Sequence, residues 1–316
     1  MSDQPAVEVI ALEKTYPGGV PAVRGIDFEV ASGEVFGLLG PNGAGKSTTV
    51  GMLTTTVVPT GGTARLSGYD VIEQPLLARG ISSVVFQEPV VDRSLSGREN
   101  LDLHGRLWGS APALAGHRIA ELAEVLGISE QLDRPVGSYS GGERRRLEIA
   151  RALVSGPKVL FLDEPTVGLD PRIRQELLDV IGGLRAREEM TIVMTTHYLD
   201  EAERLCDRVA IIHAGTIVAL DTPHALLDAL GGEILEFRVE DEPEHALARL
   251  RERGVAGADA FAIGARITVP LHGRPASTAL AEVEAEPLMV DEIATRVATL
   301  DDVYLQRTGA DLQQAA

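Results

Sequence analysis

The chain is poor in cysteine, poor in positive charge, and without any long apolar run. One cysteine, Cys206, stands among 316 residues. No intrachain disulfide can form, which excludes the disulfide-framed secreted domains and fits a reducing compartment. Lysine and arginine number 29 against 47 acids, a formal net charge of −18. That surplus opposes nonspecific nucleic-acid binding, which needs a basic footprint, and direct adhesion to anionic lipid. No nucleic-acid partner is expected. No stretch approaches the roughly 20 apolar residues that cross a bilayer. The start, Met1-Ser2-Asp3-Gln4-Pro5, has neither the basic segment nor the apolar core of a signal peptide. Internal repeats and low-complexity segments are missing too. What is present is ordinary for a globular chain, 44% hydrophobic and 24% charged, with room for one large domain and a smaller one. Cys206 follows the apolar spacing of Leu199, Ala202 and Leu205 and precedes Val209, which predicts a packed thiol on a helix.

The most informative segment is Gly40-Pro41-Asn42-Gly43-Ala44-Gly45-Lys46-Ser47-Thr48. It has the Gly-x-x-x-x-Gly-Lys-Ser spacing of a phosphate-binding loop. Glu34 to Leu39 reads as a buried strand before it, and Lys46 to Leu53 as a helix after it. Glycines let the backbone approach phosphates, and successive N–H groups point inward as donors. The helix N-terminus adds partial positive charge. Lys46 would reach the outer phosphates, and the Ser47 hydroxyl would ligate Mg²⁺. Without its context the same spacing is also that of a plain Gly-rich turn between strand and helix.

Further along, Val7 to Leu12 alternates and runs into the turn Tyr16-Pro17-Gly18-Gly19, and Val23 to Val30 continues as a strand. An antiparallel β-layer thus leads into the loop. Residues from about 92 to 150 read as helical. Strand-like runs return at Val159 to Leu162 and Thr191 to Thr195, with a helix from Ile173 to Arg187 between them. Such alternation predicts an α/β core with parallel strands and a helical insertion. Gly231-Gly232 breaks the pattern. Beyond it the order approximates β-α-β-β-α-β, a ferredoxin-like unit, with a last helix over Leu300 to Gln306. The expected division is 1–230 and 231–316.

Two segments carry further chemistry. Val159 to Leu162 ends in Asp163-Glu164-Pro165. Strand ends of a parallel sheet meet the ligand. Asp163 would hold Mg²⁺ through its water shell, and Glu164 would orient and deprotonate an attacking water. The same pair reads equally well as helix capping. Ser140-Gly141-Gly142-Glu143 opens a helix with a capping box. It reads either as a well-capped helix or as a second anion site, the latter pointing to two chains sharing each nucleotide.

In their order and spacing, the phosphate loop, Gln87, Ser140-Gly141-Gly142, Asp163-Glu164, Gly168-Leu169-Asp170 and His197 resemble the nucleotide-binding subunit of ATP-binding-cassette transporters. The resemblance spans roughly residues 7 to 225. It implies a P-loop NTPase (RecA-like) α/β core with an antiparallel β-subdomain and an inserted helical subdomain, here followed by a small α+β C-terminal domain. It implies ATP and Mg²⁺ as cofactors, and a head-to-tail dimer, expected to be of two copies of this chain. Each ATP is then held between one chain's phosphate loop and the other's Ser140-Gly141-Gly142. By the same resemblance Tyr16 stacks on adenine. Gln87 senses the γ-phosphate and Mg²⁺, Asp170 communicates across the dimer, and His197 braces the γ-phosphate and Glu164. Taken singly, Tyr16 reads as a packing residue of its turn, His197 as a loop histidine, and Gln87 as a polar strand end.

The family's signature usually reads Leu-Ser-Gly-Gly-Gln; here Tyr139 and Glu143 stand at its ends. The stretch from Gln87-Glu88-Pro89 through Arg98-Glu99-Asn100-Leu101 and the tail Leu300 to Gly309 resemble the daunorubicin-resistance branch of drug exporters. The expectation is therefore an ATPase at the cytoplasmic face of the membrane that powers a separate integral membrane permease, exporting a hydrophobic compound. Pro89, Val90, Val91 and Leu95 read either as ordinary loop packing or, by the resemblance, as the lining of the groove that receives a short helix of the permease. The rival expectation is a soluble cassette ATPase acting on ribosomes or DNA. Such proteins usually carry two cassettes, a coiled coil or basic extensions, and this chain has none of these.

Overall fold

The computed structural model describes residues 4–109, 112–188, 190–240 and 242–310; the readings that touch 1–3 and 311–316 lie outside the described residues. Strand β1 (Val7–Tyr16) pairs antiparallel with β2 (Val20–Val30) across the Pro17-Gly18-Gly19 turn. Both turn glycines have φ near +90°, a backbone that residues with a Cβ avoid. Alternation puts Val7 and Val9 inward and leaves Ile10 outside. A bulge at Ala11, φ 45°, then re-phases the strand so that Leu12 is buried again.

From β3 (Val35–Leu39) the chain passes through the glycine loop into α1 (Lys46–Leu53). It then returns to the first layer as β4 (Gly61–Leu66) and β5 (Tyr69–Asp70), giving the order β2-β1-β4-β5. Helix α2 (Pro75–Gly80) leads to β6 (Ser82–Val85), the edge of the central sheet.

The inserted helices are α3 (Gly97–Leu107), α4 (Pro112–Val125) and α5 (Gly141–Leu153). Ser96 with Glu99 and Ser140 with Glu143 close reciprocal capping boxes at the starts of α3 and α5. The central sheet is completed by β7 (Val159–Asp163), α6 (Pro171–Glu188), β8 (Thr191–Thr196), α7 (Leu199–Leu205), β9 (Arg208–His213) and β10 (Thr216–Asp221). Its order is β10-β9-β3-β8-β7-β6, parallel except for the β10 edge. Strands β3, β7 and β8 are buried along their whole length, which is why they read as continuous apolar runs without alternation.

Cys206 is buried as expected, but its helix ends at Leu205 and Val209 belongs to β9. Asp207 is the reason. Its N–H donates to Val35 O (2.8 Å) and its carboxylate accepts from Val35 N (2.8 Å), so the chain leaves the helix to run beside β3. Gly37 leaves room for the thiol, since a Cβ there would lie 2.8 Å from Cys206 Sγ.

After α8 (Pro223–Ala229) the chain forms β11 (Glu233–Val239), α9 (Pro243–Glu252), β12 (Phe261–Ile263), β13 (Arg266–Pro270), α10 (Ala276–Glu284) and β14 (Val290–Val297). The antiparallel order β12-β13-β11-β14 is that of the expected ferredoxin-like pattern. Phe237, Leu250, Ile267 and Val283 are among the residues that form its own core. The last helix, α11 (Leu300–Thr308), packs back on α7 and α8, with Leu300, Val303 and Tyr304 in the same apolar cluster as Leu226 and Leu230. The Tyr304 hydroxyl meets His213 Nδ1 at 2.7 Å. No helix among the described residues is long and apolar enough to cross a membrane.

Candidate functional site

The glycine loop is held against two neighbouring strands. A Cβ at Gly40 would lie 2.3 Å from Ile212 O, and one at Gly45 would lie 2.4 Å from Ala22 O. Gly45 also has φ 110° where it caps α1. No side chain fits at either position. Asn42, Gly43, Gly45, Lys46, Ser47 and Thr48 line a cavity of about 350 Å³ together with Gln87 and Glu164. Pro41 and Ala44 of the same loop are buried and do not line the cavity; Ala44 N–H donates to Pro41 O at 3.2 Å.

Lys46 is 4% exposed and its ammonium is fully engaged. Nζ donates to Gly40 O (2.8 Å) and Pro41 O (3.0 Å) and pairs with Glu164 Oε1 at 3.1 Å. Ser47 Oγ donates to Asp163 Oδ1 at 3.2 Å, and Thr195 Oγ1 donates to the same oxygen at 2.6 Å. A hydroxyl facing a carboxylate supplies hard oxygen donors of the kind Mg²⁺ takes while keeping most of its waters. No group of three or more acidic, histidine or cysteine side chains suited to a protein-only metal cage occurs among the described residues.

Glu164 has a left-handed backbone, φ 45°, uncommon for a residue with a long side chain. Its N–H is held by Thr195, through Oγ1 at 3.0 Å and O at 3.2 Å. His197 Nδ1 lies 3.4 Å from Glu164 Oε1 and makes no hydrogen bond, although it is buried. Its ring packs on Tyr198, centroids 4.1 Å apart. Tyr16 stands at the end of β1 with its hydroxyl 3.4 Å from Thr48 Oγ1, and Lys14 Nζ lies 5.2 Å from its ring centroid.

Ser140, Gly141 and Gly142 do not line this cavity. Ser140 Oγ accepts from Glu143 N (3.2 Å) and Glu143 Oε2 accepts from Ser140 N (2.7 Å). The Ser140 backbone N–H is the main cause holding the Glu143 carboxyl below its ordinary range. A Cβ at Gly142 would press on Ile173 Cγ2 at 2.5 Å, so this glycine lets α5 approach α6. Asp170 caps the start of α6, its Oδ1 accepting from Ile173 N at 3.1 Å. One chain therefore gathers Lys46, Ser47, Gln87, Asp163, Glu164 and His197, with Tyr16 at the rim, and leaves the Ser140 segment and Asp170 elsewhere.

Two expected groove residues part company. Val91 is 8% exposed and belongs to the main apolar cluster, whereas Val90 is 46% exposed. Val91 is thus core. Three residues that sequence reasoning passed over also support the site. Thr195 fastens Asp163 and the Glu164 backbone together. Glu201, fully buried, accepts from Thr166 Oγ1 (2.5 Å) and Thr196 Oγ1 (2.7 Å) and pairs with Arg174 Nε (2.6 Å). Arg145 binds the carbonyls around Glu164. The run of threonines ending β8 was the one signal in the sequence for the first of these.

A family model described as ABC transporter matches residues 23–167. Over 98% of this chain and 94% of its own length, the daunorubicin/doxorubicin resistance ATP-binding protein DrrA of Streptomyces peucetius is 44% identical. The Nod factor export ATP-binding protein I of Ralstonia nicotianae is 37% identical over 98% of this chain and 95% of its own. Among solved structures, cbiO1 from Clostridium perfringens, part of the ABC transporter complex cbiONQ, superposes with a TM-score of 0.66. It shares 26% identity and covers 79% of this chain and 96% of its own. The chain belongs to the ABC transporter family, as one of its ATP-binding, ATP-hydrolysing proteins.

Proposed function

We propose that this ATPase drives export of a hydrophobic, drug-like compound through a separate integral membrane permease, and that it sits at the cytoplasmic face of the membrane by binding that permease. The observation that supports the ATPase half of this reading is the meeting of Lys46 and Ser47 with Asp163 and Glu164 across one cavity. The relatives named for daunorubicin resistance and Nod factor export support the export half and do not favour a ribosomal or DNA-bound role.

In this reading Lys46 holds the outer phosphates, and Ser47, Asp163 and Gln87 hold Mg²⁺. When bound, the ion neutralises phosphate charge as the terminal phosphoryl group departs. Glu164 accepts the proton of the attacking water. Lys46 pairs with Glu164 across the cavity. A phosphate that draws off the ammonium leaves Glu164 free to act as base. His197, with Nδ1 beside Glu164, orients the same water and phosphate. Tyr16 stacks on adenine.

The Ser140 segment lies outside the cavity of its own chain, which supports a second copy donating it. Two chains then close head to tail over two ATP molecules, with Asp170 at their junction. Residues 231–316 are a separate C-terminal unit appended to the ATPase. The permease is proposed to seat a short helix near Val90 and the outer face of α3.

The test is co-expression with the permease in a drug-sensitive host. The wild type should co-purify with it from membranes and lower drug accumulation, and the ATPase-dead form should do only the first. Recovery of the wild type with ribosomes or DNA and no membrane protein would overturn the transporter role.

A further inference from the structure

Arg145 spends all five N–H groups of its guanidinium inside the protein. Nε donates to Pro165 O (2.7 Å). Nη1 donates to Phe86 O (2.6 Å) and Glu148 Oε2 (3.0 Å), and Nη2 to Asp163 O (3.1 Å) and Glu164 O (3.2 Å). The side chain belongs to the first turns of α5, three residues beyond Gly142 of the Ser140-Gly141-Gly142 segment. Glu148, one turn further on and 2% exposed, accepts Val90 N–H at 2.9 Å through its other oxygen. One buried ion pair thus touches both ends of the Gln87 loop and the backbone that carries Glu164.

The carbonyl arrangement is unusual. Successive carbonyls of an extended strand point to alternate sides, yet those of Asp163, Glu164 and Pro165 all reach one cation. The left-handed turn at Glu164 is what brings them round. That backbone is disfavoured for a glutamate and persists only where its surroundings over-determine it. Thr195 secures its N–H, and Arg145 its carbonyl side. A planar fork with five fixed donors suits such a task, and a lysine ammonium with three does not.

We propose that Arg145, backed by Glu148, is a positioning residue for ATP hydrolysis. It sets the left-handed backbone that aims Glu164 and couples it, with the Gln87 loop, to the N-terminal end of α5. A shift of α5 when Ser140 meets the partner copy's nucleotide is then transmitted to Glu164 and Gln87 of the same chain. The inference rests on the reading of Glu164 as the base.

The experiment uses the full chain. Arg145→Lys and Arg145→Ala are assayed for ATP turnover, for binding of a non-hydrolysable ATP analogue, and for thermal unfolding. Misplacement of a catalytic group costs roughly 10²-fold in rate, so Arg145→Ala should lose about that much kcat, and Arg145→Lys less. Analogue affinity and KM should stay near wild type. A cavity of about 230 Å³ between Gln87, Gly141 and Leu169 reaches Arg145, so millimolar guanidinium should enter the Ala variant. It should restore part of kcat where equal urea does not. Wild-type kcat in both variants overturns the proposal. So does a kcat loss that follows the unfolded fraction and ignores guanidinium. Glu164→Gln, run in parallel, separates the two failures. Full turnover there removes the base reading and this proposal with it. An inactive Glu164→Gln beside active Arg145 variants removes the proposal alone.

Discussion

Lys46 and Glu164 form a buried ion pair, Nζ to Oε1 at 3.1 Å, with both side chains 5% exposed or less. Removing one partner of such a pair leaves an uncompensated charge, which costs on the order of 3 kcal/mol. Lys46→Met should therefore lower the melting temperature of the nucleotide-free protein. Lys46→Met with Glu164→Gln should recover most of it. If the single and double variants melt together, the pair contributes nothing to stability.

Glu164→Gln keeps the shape of the side chain and removes the proton acceptor. ATP should still bind, while turnover falls by about 10²–10⁴, the usual worth of a general base. The variant should accumulate as an ATP-bound dimer, seen by gel filtration in ATP. Turnover at the wild-type rate would take Glu164 out of the role.

In the proposed head-to-tail dimer, Lys46→Ala and Ser140→Arg damage opposite halves of a shared site. In a mixed dimer one site collects both lesions and the other is intact. Mixing the two inactive proteins should then restore part of the ATPase activity. Cysteines introduced at Gly43 and Gly141 should crosslink two chains in ATP; if no crosslink ever joins two chains, sites shared between copies are ruled out.

The permease contact is best probed at exposed positions. Val90 is 46% exposed and Leu107 75% exposed; Leu107 precedes Trp108, which lines a cleft of about 260 Å³ together with Phe86, His104 and Arg151. Val90→Asp with Leu107→Asp should leave ATPase activity of the isolated protein unchanged. Co-purification with the permease and drug efflux should both be lost, because unpaired charges in a desolvated contact are costly. Unaltered co-purification would move the contact elsewhere. Val91→Asp is no substitute, because it buries a charge in the core.

In the same cleft, burial, reinforced by the charge of Arg151, pushes His104 down to about 4 from 6.5. The unfolded chain takes up this proton near 6.5 and the folded chain only near 4. Between those values the unfolded state holds more protons. The corresponding stability is complete above pH 6.5 and is lost as pH falls toward 4. His104→Leu removes this dependence. Between pH 7 and pH 5 the wild type should lose more melting temperature than the variant does. Equal losses would mean that His104 is not held neutral.

The phosphate loop, the capping box at Ser140 and the strand ending in Asp163-Glu164 were legible in the sequence because each is a local pattern with its own spacing. Val91 was not legible. A valine in a short irregular segment has no period, and only its place in the main apolar cluster decides that it is inside while Val90 is out. The end of α7 was misplaced for a related reason. Leu205, Cys206 and Val209 keep a helical spacing, but two hydrogen bonds between Asp207 and Val35 belong to tertiary structure. Arg145 was hidden most completely. Within Arg144-Arg145-Arg146 it looks like one more solvated charge, and nothing local announces three carbonyls turning toward it.

The C-terminal α+β unit is moored twice. The chain leaves the ATPase core at Gly231-Gly232, just after α8, and comes back as α11, which lies against that same helix. At the second mooring the Tyr304 hydroxyl grips His213, and only Ala214 separates His213 from Gly215, whose N–H bonds the Ala44 carbonyl of the phosphate loop at 3.0 Å. A flag on one rope can turn freely without disturbing its mast. This unit is closer to a yoke: any tilt loads both attachments at once, and one of them ends a few bonds from the glycine loop proposed to hold the phosphates.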